Sequence, residues 1–345
     1  MNSNITKLVR KNILELSPYS SVREEFKGNE GVFLDANENP YGIYNRYPDP
    51  YQTQLKQKLA EVKNCNVNQI FIGNGSDEVI DLAFRIFCRP NLDKVLTFSP
   101  TYGMYRVSAE INSVELIQIP LNNEFQIDRK SVESYFNDQN LKLIFICSPN
   151  NPTGNLFNID DIEFILQNFN GIVMVDEAYI DFAEQQSFIE KLKIYPNLIV
   201  IQTLSKAWGL AGIRLGIAFM NEEILAFYNK VKSPYNISSV NQEIALEALN
   251  QSREFNSILK EILSERIKMM EELMQLKLVK KIYPTDANFV LIEVENADEL
   301  YQKLTKKQII IRNRNSAIPN CVRITIGTSK ENQILINELK KIDNG

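Results

Sequence analysis

A lysine at 206 and an arginine at 214 lie in the stretch Thr-Leu-Ser-Lys-Ala-Trp-Gly-Leu-Ala-Gly-Ile-Arg-Leu-Gly, residues 203–216, among small and apolar neighbours. A cation in such surroundings needs a counter-charge, a hydrogen-bonding partner or a chemical task. Lysine has a task that arginine lacks: desolvated, its amine loses a proton and attacks carbonyl carbon, forming a Schiff base. The chain contains no histidine. That excludes Ser-His-Asp triads, Cys-His pairs and every His-ligated metal site. Proton transfer then falls to Lys, Tyr, Cys, a carboxylate or a cofactor.

Four more polar clusters follow short apolar runs, as Lys206 follows 198–203. Gly75-Ser76-Asp77 follows 70–72, Tyr102 follows 95–98, Asn151 follows 143–147, and Asp176 with Tyr179 follows 172–175. Each has an ordinary reading. Ser76 can be a plain N-cap, Asn151 before Pro152 a turn residue, and Tyr102 and Tyr179 core filler. Asp176 can be a structural acid, or can hold Mg²⁺, a ribose or a protonated ring nitrogen. Their placement at successive strand ends is what distinguishes them, because ligands of open α/β sheets bind outside the carboxyl ends of the strands. Together they offer a helix N-terminus for a phosphate, an aromatic face, an amide, a carboxylate, a phenol and an amine. A ligand with a phosphate, a flat ring, a basic ring nitrogen, a phenolic oxygen and an aldehyde satisfies the whole set, and pyridoxal phosphate is that ligand.

The elements that position these groups alternate. Helical spacing marks 54–62 and 77–87, and the apolar runs fit strands buried on both faces of a mostly parallel sheet. Alternation of this kind predicts an α/β fold. Apolar residues at 255, 258, 259, 262, 263, 267, 270, 273 and 274 predict a long amphipathic helix. Strands are expected at 289–294, 309–311 and 322–326, with a helix near 298–306, making a smaller α+β unit. The expected organisation is an irregular N-terminal segment, 1–45, packing with the smaller unit and the active site; a large α/β domain, 46–250; and a small α+β domain, 251–345. The net charge of −5 gives no basic face for nucleic acid. No apolar run approaches a membrane span, and the start of the chain lacks the apolar core of a signal peptide. Cys65, Cys88, Cys147 and Cys321 lack metal spacing and read as reduced thiols, which predicts a cytoplasmic protein.

Asn151-Pro152-Thr153-Gly154, Asp176-Glu177-Ala178-Tyr179 and Ser205-Lys206 with Arg214 resemble the fold-type I, aspartate-aminotransferase-like enzymes. The blocks Asn37-Glu38-Asn39-Pro40, Arg46-Tyr47-Pro48-Asp49-Pro50, Gly75-Ser76-Asp77-Glu78, Pro100-Thr101-Tyr102-Gly103-Met104-Tyr105 and Val322-Arg323-Ile324-Thr325-Ile326-Gly327 are similar to those of the histidinol-phosphate aminotransferases. They come in that family's order and cover nearly the full chain. The resemblance implies that Lys206 binds the aldehyde and carries the proton, and that Asp176 keeps the ring nitrogen protonated. Asn151 and Tyr179 would bond the phenolic oxygen, and Tyr102 would stack on the ring. Ser76, Asp77 through its backbone N–H, Ser205 and Arg214 would surround the phosphate. Tyr47 would reach the phosphate of the other subunit, implying a homodimer. For substrate the pattern points to Tyr19, Asn37, Arg312 and Arg323. Arg323 would grip the α-carboxylate of glutamate or the phosphate of histidinol phosphate, with Arg312 a second clamp. Arg314 lies where the family often has another residue, so either or both of Arg312 and Arg314 can face the substrate. The implied reaction is ping-pong transamination between histidinol phosphate and 2-oxoglutarate.

Aromatic-amino-acid aminotransferases and threonine-phosphate decarboxylases would share Lys206, Asp176 and Arg214. A nicotinamide-dependent oxidoreductase is disfavoured, because Gly73-Asn74-Gly75-Ser76-Asp77-Glu78 has Glu78 where the dinucleotide fingerprint needs a third glycine.

Overall fold

The structure, a computed structural model, describes residues 5–18 and 31–344. Seven strands form the larger sheet: β1 (Ile70–Asn74), β2 (Lys94–Ser99), β3 (Glu115–Pro120), β4 (Leu141–Cys147), β5 (Ile172–Asp176), β6 (Leu198–Thr203) and β7 (Leu215–Met220). Their spatial order is β1-β7-β6-β5-β4-β2-β3. The pairs from β6 through β3 are parallel, while β7 runs antiparallel to both of its neighbours. β5, β6 and β7 are buried along their whole length. Alternate residues serve opposite faces. Ile144, Val173, Val175 and Val200 enter one core, and Phe145, Met174, Ile199 and Ile201 the other. Helices on both faces therefore explain why these strands read as unbroken apolar runs.

Two strands of the larger sheet escape the sequence reading. β3 is a half-exposed edge strand carrying Gln118 and ending at Pro120, and β7 begins directly after Arg214. The helices Thr53–Lys63 and Ser76–Phe87 agree with expectation. The described start of the N-terminal segment lies against the larger sheet. Residues Ile5–Lys7 and Lys11–Leu14 are short helical turns, and Ile5, Val9 and Ile13 are buried with Phe71, Phe84 and Tyr228 against the large sheet, not the smaller unit. Three apolar residues spaced by four make a helical stripe, and the face of the large sheet is what it covers.

The smaller sheet is antiparallel throughout: β8 (Val279–Ile282), β9 (Phe289–Val294), β10 (Arg312–Asn313) and β11 (Cys321–Thr325), in the order β10-β11-β9-β8. The strand expected at 309–311 is corrected to 312–313. Ile309 instead closes the preceding helix, its N–H bonded to Leu304 O at 3.0 Å, and Ile310 is exposed. The apolar run fills in around the small core from a loop, and pairing begins only where β11 supplies a partner. The long helix, Ser252–Met274, forms as expected, with a narrower buried face. Phe255, Leu259, Ile262 and Leu263 pack under Tyr179 and Phe289, then Met269 and Leu273 join the small core, while Ile258, Ile267 and Met274 are exposed. Among the described residues no helix is long and apolar enough to cross a membrane.

Candidate active site

β1, β2, β4, β5 and β6 all point their carboxyl ends at one edge, and β7 starts there because it runs the other way. That edge opens into a cavity of about 530 Å³, within the range of small-molecule sites. Ser76, Asp77, Tyr102, Asn151, Asp176, Tyr179, Ser205, Lys206 and Arg214 all line it, as do Arg312 and Arg323 from the smaller sheet. Tyr47 and Asn37 do not. They share a separate cavity bordered by Tyr44 and Ser238, and the exposed Tyr47 ring stacks on Tyr235 at 4.4 Å. Tyr19 lies outside the described residues.

The first corner of the site is the start of helix Ser76–Phe87. Its N-cap is Gly75, not Ser76, and makes no side-chain cap bond. The first helical N–H groups are thus left for another acceptor, and the helix dipole favours an anion there. Gly75 takes a positive φ of 78°, and its N–H donates to Arg214 O at 2.6 Å. Arg214 is itself left-handed, at φ 54°, and its guanidinium lies 3.6 Å from the Asp77 carboxylate. Gly216 makes this close approach possible. A Cβ there would sit 2.2 Å from Ser76 N and 2.3 Å from Gly75 C. Both obstacles are backbone, so neither can rotate away. Gly216→Ala is therefore expected to cost at least about 1–3 kcal/mol of stability in urea unfolding and to deform the helix start. An unchanged midpoint would contradict this contact.

The second corner is Asp176 at the end of β5. It is buried, and its two oxygens accept from Tyr105 Oη at 2.8 Å and Ala178 N at 3.1 Å. Burial raises its pKa to about 6, against the pull of those two donors. Tyr105, fully buried and stacked on Phe145 with ring centroids 4.8 Å apart, is a site residue the sequence reading missed. Its place within the Tyr102–Tyr105 block, three residues along a helix start, was the available signal. Tyr102 meets it edge-on and donates from Oη to Asp77 at 3.1 Å. Burial, then the Asp77 charge, holds the Tyr102 phenol protonated.

Asn151 joins the two sheets. Its Nδ2 donates to Tyr179 Oη at 3.3 Å, and its Oδ1 accepts from Arg323 Nη1 and, at 3.4 Å, from Arg314 Nη2. The Lys206 amine has no hydrogen-bond or ion-pair partner among the described residues. It lies over the Tyr179 ring, 5.8 Å from the centroid. Burial and then Arg323 lower its pKa, so more of it is the neutral amine. The cavity thus holds a nucleophilic amine, a buried carboxylate, an uncapped helix start beside Arg214, and arginines on the facing sheet.

The comparisons agree with this chemistry. The sequence matches the family described as aminotransferase class I and II over residues 25–339. It is 51% identical over 339 residues to a histidinol-phosphate aminotransferase of Parabacteroides distasonis, covering 97% of this chain and 98% of the relative. The fold superposes on the histidinol-phosphate aminotransferase of Clostridium acetobutylicum with a TM-score of 0.80 at 28% identity, covering 90% of this chain and 98% of the other. It also superposes on that of Sinorhizobium meliloti in complex with pyridoxal-5'-phosphate, at TM-score 0.79 and 22% identity, covering 87% and 83% of the two chains. The last likeness speaks to the fold alone. With most of its length matched, the chain belongs to the class I and II aminotransferases.

Proposed function

We propose that this chain transfers an amino group between histidinol phosphate and 2-oxoglutarate, giving imidazole-acetol phosphate and glutamate, with pyridoxal phosphate as cofactor. The carrying observation is one cavity that holds a partnerless amine, Lys206, between two separate sets of cations: Arg214 at an uncapped helix start, and arginines 312, 314 and 323 on the small sheet. The names borne by the relatives support the same reading.

The residues present fit the cofactor. The N–H groups of Ser76 and Asp77, Ser205 and Arg214 would hold its phosphate. Asp176 would face its ring nitrogen, Asn151 and Tyr179 its phenolic oxygen, and Tyr102 its ring. When bound, the cofactor supplies an aldehyde for the amino group and a ring that withdraws electrons from the substrate Cα. Lys206 Nζ takes the Cα proton and returns it, a role suited to an amine of lowered pKa. Arg323 and Arg312 fix the anionic end of the substrate. Tyr102 and Tyr179 stay protonated and act as hydrogen-bond donors. We further propose a homodimer in which Tyr47, absent from its own cavity, reaches the partner's cofactor phosphate, and a cytoplasmic protein divided near residues 45 and 250. Sedimentation velocity tests the dimer.

Steady-state rates on histidinol phosphate, phenylalanine and threonine phosphate test the reaction. The expected order places kcat/KM for histidinol phosphate first. A purified protein that binds no pyridoxal phosphate ends this proposal.

The Asp176 pKa carries a pH prediction. Its folded value, about 6, lies above the ordinary 3.8. The apo-protein contribution of this group therefore declines as pH rises from about 4 to 6, where the folded carboxyl must ionise. A cation at the ring nitrogen favours the ionised form, so affinity for pyridoxal phosphate should fall as pH drops below about 6. Fluorescence titration of the apo-protein between pH 5 and 8 measures it. Asp176→Asn should remove that part of the pH dependence; an identical profile in the variant would assign it to another group.

A further inference from the structure

Three arginines face the cavity from one side of the smaller sheet. Arg312 and Arg323 are directly paired across the β10–β11 ladder. Arg314 follows Arg312 by two residues with its N–H still bonded to Cys321 O at 2.9 Å, so the extended chain returns its side chain to the same face. All three line the cavity. Among the described residues none of them pairs with a carboxylate. Arg323 rests on the Phe289 ring at 4.9 Å. Among the described residues the only side-chain acceptor for Arg314 and Arg323 is Asn151 Oδ1, one neutral oxygen shared between two guanidinium groups. The buried Nε atoms of both arginines have no hydrogen-bond partner among the described residues.

We propose that Arg314 is a third ligand of the substrate's phosphoryl group and sets the preference for a phosphate monoester over a carboxylate. This rests on the function proposed above. A carboxylate brings a single negative charge and two oxygens, which a pair of arginines satisfies. A phosphate monoester brings about two charges and three terminal oxygens, which leaves work for a third planar fork. Burial, then Arg323 and Arg312, hold the Arg314 pKa down at about 10. A dianion relieves this crowding better than a monoanion. Buried donors built for one ligand also reject a substitute that leaves them unpaired.

The experiment compares the cofactor-loaded wild type with Arg314→Gln. Calorimetric titration uses two unreactive probes, propyl phosphate and butyrate, and single-turnover kinetics follows the histidinol phosphate and glutamate half-reactions separately. The expected result for Arg314→Gln is a loss of about 10- to 100-fold in propyl phosphate affinity and in kcat/KM for histidinol phosphate. Butyrate affinity and the glutamate half-reaction should stay within about threefold, the range of ordinary context effects. Arg314→Lys keeps the charge without the fork and should fall between; it also serves if the glutamine variant does not fold. Equal losses for both probes, or no loss for either, overturn the proposal. If the wild type fails to convert histidinol phosphate yet Arg314→Gln still loses propyl phosphate selectively, the proposed reaction falls and the phosphoryl role of Arg314 stands. If the wild type converts it and the variant is unaffected, the reverse holds.

Discussion

Lys206→Ala is expected to lower turnover by at least about 10⁴-fold, since it removes both the amine that receives the aldehyde and the base that moves the Cα proton. The loss should be chemical, not structural. The Lys206 amine makes no ion pair or hydrogen bond among the described residues; burial and then Arg323 disfavour its charged form, while Asp176 favours it. Removing it should therefore change the stability of the apo-protein by no more than about 0.5 kcal/mol. Added methylamine should recover part of the rate, because a small amine fits the space the side chain vacates. Turnover within tenfold of wild type would show that another group is the base, and the candidate would have to be a phenol, a carboxylate or the Cys147 thiol in a chain without histidine.

Asp176→Asn is expected to lower kcat by about 10²–10³-fold, the effect of removing one preorganised charge facing a reacting system. Stability should change little, because two effects oppose each other. The amide escapes the cost of burying a negative charge, which dominates the Asp176 pKa. Its nitrogen, however, must now face either Tyr105 Oη or Ala178 N, both donors to the native carboxylate. Thermal unfolding of the apo-proteins separates the two consequences. A large drop in Tm together with lost activity would make Asp176 a structural acid, one of the alternatives its sequence position allowed.

Most of the larger sheet and its site were legible because both rest on local signals. Short apolar runs become strands wherever both faces are covered, and each chemically suggestive residue sits within a few positions of a run's end. β3 failed this test because an edge strand is only half-buried, and 309–311 because burial by a loop looks the same as burial in a sheet. Non-local facts were out of reach. Nothing around Tyr105 says that its hydroxyl meets a carboxylate 71 positions away. Nothing around Arg314 says that it shares Asn151 with Arg323. Asn37 and Tyr47 line a cavity separate from the one that holds Lys206, and the part expected of Tyr47, at the other subunit's phosphate, depends on a second chain that no local pattern describes.

The antiparallel strand β7 has a consequence for how the protein assembles. β1 has a single neighbour in the sheet, and that neighbour is β7, the last of the seven strands in chain order. The helix start after β1 is fixed only when Leu215–Met220 has slotted between β1 and β6, bringing Gly216 against Gly75 and Ser76 from about 140 positions away. The anion corner is therefore a checkpoint of completion. It has no partial form in a chain whose final strand is unpaired, so any ligand held there binds only the finished sheet and adds its whole binding free energy to keeping it closed.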